Sequence, residues 1–264
     1  MNQLYRLIKK NSFLLKTFIL RELTLAYKGS ILGIIWSFVY PVFMILIYSF
    51  VFIYVFKAKW GETGSSNIEF AIMLYAGLII YNFFTETINS SPYLITDNPN
   101  YVKKISFPLE ILPIVRTTRC FIIFLINFFV LFLFSIFFYK LSINIFSLIA
   151  LFISIFIFVL AFSFLVSSIS VYFKDIRQII IILTSVLLFL SPVFYPITAV
   201  PENLRFFINF NPLSHFMEIF RYSLYGTNYS FNLTSILIFL STLFLLVFSY
   251  RFFNKVKRGF ADVI

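Results

Sequence analysis

An all-α membrane protein with six transmembrane helices is the fold class this sequence predicts, on three observations. Hydrophobic residues make up 61% of 264 and charged residues only 12%, with a mean hydropathy of +0.98. The apolar residues gather in six nearly uncharged runs, each long enough to cross a hydrocarbon core of roughly 30 Å, which takes about 20 helical residues. Basic residues collect between alternate runs, the pattern that orients a chain in a bilayer. Residues 1–264 read as a single transmembrane domain.

The elements follow in order. In residues 1–28, Leu4, Leu7, Ile8, Leu14, Leu15, Phe18 and Ile19 share one face of a helical wheel. Arg6, Lys9, Lys10 and Lys16 take the other face, and Phe13 is the exception. This is an amphipathic helix lying in the membrane interface; a lipid anchor and a docking face for a soluble partner both produce the pattern. The spans are placed near 31–56, 70–90, 119–138, 145–169, 177–198 and 233–252. The first begins too late and runs too long for a cleaved signal peptide, so it is expected in the mature protein. The second is the least apolar and carries Glu86 near one end.

Two connections are unusual. Residues 91–118 are punctuated by Asp97, Pro99, Pro108 and Pro113, which predicts short helices forming a rigid knob with Lys103, Lys104 and Glu110 exposed. The stretch from Ser191 to Phe231 is too apolar for a solvated loop and too broken by Pro192, Pro196, Pro201 and Pro212 to span. Two short amphipathic helices re-entering the outer leaflet, residues 199–232, fit both facts, since irregular backbone at membrane depth needs protein or a water-filled cavity around it. The lone His215 in this segment is read as structural rather than as a metal ligand or proton relay.

Charge supplies the direction. The N-terminal segment, the second and fourth loops and the C-terminal tail together hold sixteen of the 21 basic residues. Basic residues accumulate on the cytoplasmic side, so both termini are expected there. The net charge of +11 is a topology signal and an attraction to anionic lipid, not a nucleic-acid footprint. Forty Phe and sixteen Tyr suit a ring-lined channel and a compositional bias equally. One cysteine, Cys120, makes an internal disulfide impossible.

Several chemistries have no residues to carry them. The seven glycines are scattered singly, so no phosphate-cradling loop exists. No metal-ligand cluster and no nucleophile–base arrangement is visible, so neither catalytic nor metal residues are assigned. Ion-driven carriers need acidic or histidine groups at mid-depth, and the only carboxylate within the spans is Glu86. The chain offers a path without a drive, and a separate motor is implied.

At Leu23–Phe52 the sequence resembles the membrane subunits of type-2 ATP-binding-cassette exporters, in the branch that handles bacterial O-antigen, capsule and teichoic acid. The residues that carry the likeness are Tyr27, Lys28, Ser30, Leu32, Gly33, Trp36, Tyr40 and Pro41, with Ala26 where that family often has arginine. A second match comprises Val102, Lys104, Phe107, Pro108, Glu110, Leu112 and Pro113. A third comprises Ser191, Pro192, Tyr195, Pro196, Asn211, Pro212 and Arg221.

The resemblance implies a homodimer with two cytoplasmic ATPase subunits that bind ATP and Mg, this chain binding no cofactor itself. It implies a bacterial plasma (inner) membrane location and, as cargo, a glycan or polyol-phosphate polymer on undecaprenyl diphosphate. Coupling to the ATPase would fall to Arg21, Glu22, Lys103, Lys104, Phe107, Pro108, Glu110 and Pro113. The outer re-entrant motif would comprise Pro192, Pro196, Asn211, Pro212 and Arg221. Trp36, Tyr40 and Phe43, at spacings of four and three, are candidates to line a conduit, with Tyr195 at its rim. Lys28 and Lys104 are candidates to meet the lipid diphosphate. Three other readings stay open: a drug or small-molecule exporter of the same family, a passive channel, and a membrane glycosyltransferase subunit using Glu86 with Asp97.

Overall fold

A computed structural model of the chain describes residues 2–26, 28–56, 60, 67–103, 107–138, 141–226 and 233–264, and these are helical with no strand among them. Helices α1 (Asn2–Lys10) and α2 (Ser12–Ala26) are nearly continuous. The Asn11 amide donates to Leu7 O and its carbonyl accepts from Leu15 N. The apolar face read from the sequence is used against protein. Leu15 is buried, and Leu4, Leu7, Leu14, Phe18 and Ile19 pack on the same cluster, while Phe13 stays 83% exposed.

Helix α3 (Trp36–Ser49) carries Pro41 inside it, is preceded by a 3-10 turn at Gly33–Ile35 and continues into a π-helix, Phe50–Val55. Helix α4 (Asn67–Ser90) is the central post, with α3 and several helices from later in the chain packed around it. Two short helices follow, α5 (Tyr93–Thr96) and α6 (Pro99–Val102). Helix α7 (Ile111–Phe138) begins eight residues before the span predicted from charge. Pro113 lies in its first turn, where the missing N–H would have had no partner anyway, so this proline starts a helix instead of punctuating a loop. Helix α8 (Ile145–Tyr172) is capped by Asn144, whose side chain accepts from Ser147 N at 3.2 Å.

Helix α9 (Ile176–Leu190) stops short of the predicted boundary at 198. Pro192 and Pro196 cannot donate to a helical ladder, and the chain turns instead through Ser191–Val193, with Val193 N on Ser191 O at 2.7 Å. Helix α10 (Arg205–Phe210) turns Phe206, Phe207 and Phe210 outward. Helix α11 (Pro212–Tyr225) is buried along most of its length and packs as a core element against α4 and α8. It ends on Gly226 at φ 65°, a left-handed cap that favours glycine. Helix α12 (Leu233–Val256) lies along α8, and a 3-10 turn at Lys257–Gly259 leads to α13 (Phe260–Val263).

Among the described residues, four stretches are long and apolar enough to cross a membrane: Ile68–Ser90, Ile111–Phe138, Ile145–Tyr172 and Ile236–Val263. Trp36–Phe52 and Ile176–Leu190 are shorter apolar helices. Many rings serve packing between helices. Phe124, Phe128 and Phe220 meet Phe152 within 5.1–6.4 Å, which welds α7, α8 and α11 together. Both termini, α5, α6 and the start of α7 gather at one end of the bundle around a second core of Leu94, Ile95, Ile111, Val115 and Phe253. The turn at 191–196 and the end of α11 lie at the other.

Candidate functional site

At the end that holds the termini, the two regions singled out for coupling are one body. Tyr101 of α6 stacks on Phe107 with centroids 4.5 Å apart, and Phe18 of α2 meets both rings at 5.8 and 5.9 Å. Arg21 Nη1 donates to Tyr101 Oη at 3.4 Å, and Glu22 faces Arg116 of α7 at 3.5 Å. Between these elements opens a cavity of about 600 Å³ lined by Arg21, Glu22, Tyr93, Asp97, Arg116 and Arg119, among others.

The loop's exposed tip comprises Asp97, Asn100 and Lys103, whereas Phe107 and Pro108 are half-buried and Pro113 is buried in α7. Glu110 corrects the sequence reading: it is 3% exposed, not a surface group, and it is ion-paired with Lys257 from the far end of the chain. Sequence spacing gives no signal for that contact, because the partners lie 147 residues apart. Lys28 is exposed, and Lys104 lies outside the described residues, as does Tyr27. Glu86 and Asp97 are not a carboxylate pair, since each has its own arginine. Glu86 takes Arg119 at 2.6 Å, and Asp97 takes Arg177 at 3.9 Å.

The conduit candidates divide. Trp36, Tyr40 and Phe43 are 44%, 50% and 57% exposed on the outward face of α3, opposite buried Ser37, Pro41 and Ile45. Trp36 and Tyr40 line a cavity of about 320 Å³ with Ser37, Ile123 and Asn127, and Phe43 is not part of that lining. Asn127 went unnoticed in the sequence. It is the only amide side chain in α7, and its Oδ1 accepts from Tyr75 Oη at 2.9 Å. An isolated amide in so apolar a helix was the available signal.

At the opposite end the third motif is a bracket closed on Arg221, which is 1% exposed. Its Nε and Nη2 each donate to Met73 O at 3.0 Å, and Nη2 also donates to Pro192 O at 2.8 Å. Nη1 meets Glu218 Oε1 at 2.7 Å, and the guanidinium lies 4.4 Å from the Trp60 ring centroid. Asn211 caps α11 by accepting from Leu213 N at 3.0 Å while its amide donates to Ser191 Oγ at 2.8 Å; Pro212 is the first residue of the helix. Tyr195 Oη donates to Phe189 O at 2.6 Å, and Pro196 precedes the 3-10 turn at Ile197–Ala199. His215 Nε2 hydrogen-bonds Asn209 O at 2.7 Å.

Gly77 makes room for this bracket. A Cβ there would lie 2.7 Å from Arg221 Nη2 and 3.3 Å from Val193 Cα. Gly77→Ala is therefore expected to lower the thermal unfolding midpoint of the purified protein, because both neighbours are held in place; an unchanged midpoint would show that the bracket yields.

Residues 14–225 match the model of the ABC-2 type transporter family. This chain belongs to that family. The ABC-2 family is one of membrane transport components, and membership implies an ABC ATPase as partner. The chain is 24% identical over 247 residues to the O-antigen export system permease protein RfbA of Klebsiella pneumoniae, covering 92% of each. It is 28% identical over 193 residues to the protein of the same name from Myxococcus xanthus, covering 72% of this chain and 70% of that one. The matched region takes in α2 through α11, and so contains all three motifs and the Arg221 bracket.

Proposed function

We propose that this ABC-2 chain is the transmembrane subunit of an ATP-driven exporter that carries lipid-linked polysaccharide from the cytoplasm across the bacterial plasma membrane. The observation that carries the reading is its similarity to O-antigen export permeases along 92% of its length. In this reading the helical run Gly33–Val55 and α9 complete six spans with the four long helices, and residues 199–226 belong to the outer re-entrant segment, whose expected remainder, 227–232, lies outside the described residues. The apolar outward face of α9 is covered by a second copy, which makes a homodimer, and that of α3 faces the path between the copies. Both termini are cytoplasmic, a reading supported by the sixteen basic residues of the N-terminal segment, the second and fourth loops and the tail, and two ATPase subunits holding ATP and Mg engage the α2–α6 body there.

Trp36 and Tyr40 border the path, where aromatic faces stack on sugar C–H surfaces and Asn127 hydrogen-bonds hydroxyls. Many weak, equivalent contacts let a polymer slide without a trapping register. The paired substitution Trp36→Ala with Tyr40→Ala is expected to reduce surface polymer while the complex with the ATPase still assembles; undiminished polymer would remove both residues from the path.

Cells that lack this chain are expected to accumulate lipid-linked glycan inside, and re-expression restores its surface display. A drug or small-molecule exporter would instead leave glycan distribution unchanged. Export by vesicles that hold this chain alone, without nucleotide, would overturn the reading outright.

A further inference from the structure

We propose that the C-terminal tail is a strut of the coupling apparatus, with Lys257 the positioning residue that ties it to the loop on which the motor acts. The inference rests on the reading above, in which the loop before α7 receives the push of the ATPase. Its new content is where that push goes.

Glu110 is the residue immediately before α7, and Lys257 is the residue immediately after α12. Their ion pair therefore joins the start of one long helix directly to the end of another. The charges also suit their places, an acid at a helix N-terminus and a base at a C-terminus. Glu110 is 3% exposed, its second oxygen, Oε2, is buried without a hydrogen-bond partner, and among the described residues Lys257 is the cation paired with it.

Independent contacts fasten the same tail to a third helix. Tyr172, the last residue of α8, donates from Oη to Val256 O at 3.0 Å. Gly259 passes so close that a Cβ would lie 2.6 Å from the Tyr172 oxygen. Phe260 is fully buried, its ring 5.7 Å from Phe253 and 6.0 Å from Tyr172. The tips of α7, α8 and α12 thus meet at one knot.

A displacement of the loop cannot move α7 alone while this knot holds. It is shared by three long helices, which shift as a body, the rigid-element motion that packed helices support. Without the Lys257 contact, the push on the loop dissipates at its root.

The test uses the complex with its ATPase, comparing Lys257→Met, Lys257→Arg and Lys103→Glu. Three quantities are read: recovery of the assembled complex, its ATP hydrolysis, and surface polysaccharide in cells. Lys257→Met is expected to assemble and to hydrolyse ATP within about twofold of the parent while surface polymer falls roughly fivefold or more, the lower end of typical coupling factors. Lys257→Arg restores export, because a second cation reaches the same carboxylate. The strut is overturned if Lys257→Met exports normally, or if its export falls only in proportion to the protein recovered.

Lys103→Glu, at the exposed tip, tests the underlying reading separately. It should weaken assembly or hydrolysis by reversing a charge on the docking surface. If it changes neither, the loop is not the motor's contact, and the strut falls with that reading.

Discussion

Replacing Arg221 with methionine is expected to give the largest loss of folded protein of any single substitution at the third motif. The guanidinium is held by two backbone carbonyls, Met73 O and Pro192 O, and by the Glu218 carboxylate, in a site with 1% exposure. Removing one member of a buried ion pair costs about 3–5 kcal/mol, because the other charge stays behind uncompensated. At about 2–4 °C per kcal/mol for chains of this order of length, the unfolding midpoint should fall by roughly 10 °C. Lysine should rescue little. One ammonium cannot reproduce the planar fork that addresses Met73, Pro192 and Glu218 together, nor its stacking over Trp60. Glu218→Gln should also be costly, since it leaves the buried guanidinium without its Glu218 countercharge, although the amide oxygen still accepts a hydrogen bond. A midpoint for Arg221→Met within two or three degrees of the parent, by the same conversion, would mean that the bracket is ornamental.

That bracket also explains why the far end of the fold was only half legible in the sequence. The prolines after α9 announced a break, yet nothing in their spacing showed that the broken chain would be clasped to α4 through the Pro192 carbonyl. Arg221 stood out in the sequence only as the last residue of the third motif. Its role depends on a glycine 144 positions earlier, whose missing Cβ lets the guanidinium lie against α4. Contacts of that separation are outside the reach of hydropathy or local periodicity.

At the other end the pattern was legible and its use was not. The wheel of α1 and α2 gave the apolar face for six of its seven residues and the outlier Phe13, while Ile8 is exposed. The partner of that face is the loop cluster around Leu94 and Leu112, which an amphipathic pattern cannot distinguish from lipid. Pro113 and Pro192 make the same point about position: in the first turn of α7 a proline is harmless, and after α9 it ends the helix. Asn127 was visible throughout as a lone amide in α7. Only the hydrogen bond from Tyr75 and the cavity beside Tyr40 show why it matters.

The Glu110–Lys257 pair carries the second large effect, and its two halves should not cost the same. Lys257→Met strands a carboxylate that is 3% exposed and has one oxygen already unpartnered. Breaking this half-buried pair from that side should cost about 1–3 kcal/mol, the penalty of leaving a buried acceptor unsatisfied. Glu110→Gln leaves behind a lysine whose side chain is 33% exposed and can swing its ammonium into water. That loss is closer to one ordinary hydrogen bond, about 1 kcal/mol. The double variant Glu110→Gln with Lys257→Met has no stranded charge, so it should be more stable than Lys257→Met alone despite carrying an additional substitution. Thermal unfolding of the three purified variants checks the order: double above Lys257→Met, and Glu110→Gln nearest the parent. Such a coupling between neighbours commonly reaches about 0.5–3 kcal/mol. Simple additivity, with the double variant the least stable of the three, would show that Lys257 does not neutralise Glu110 in the folded protein, and the tail would lose its fastening to the loop.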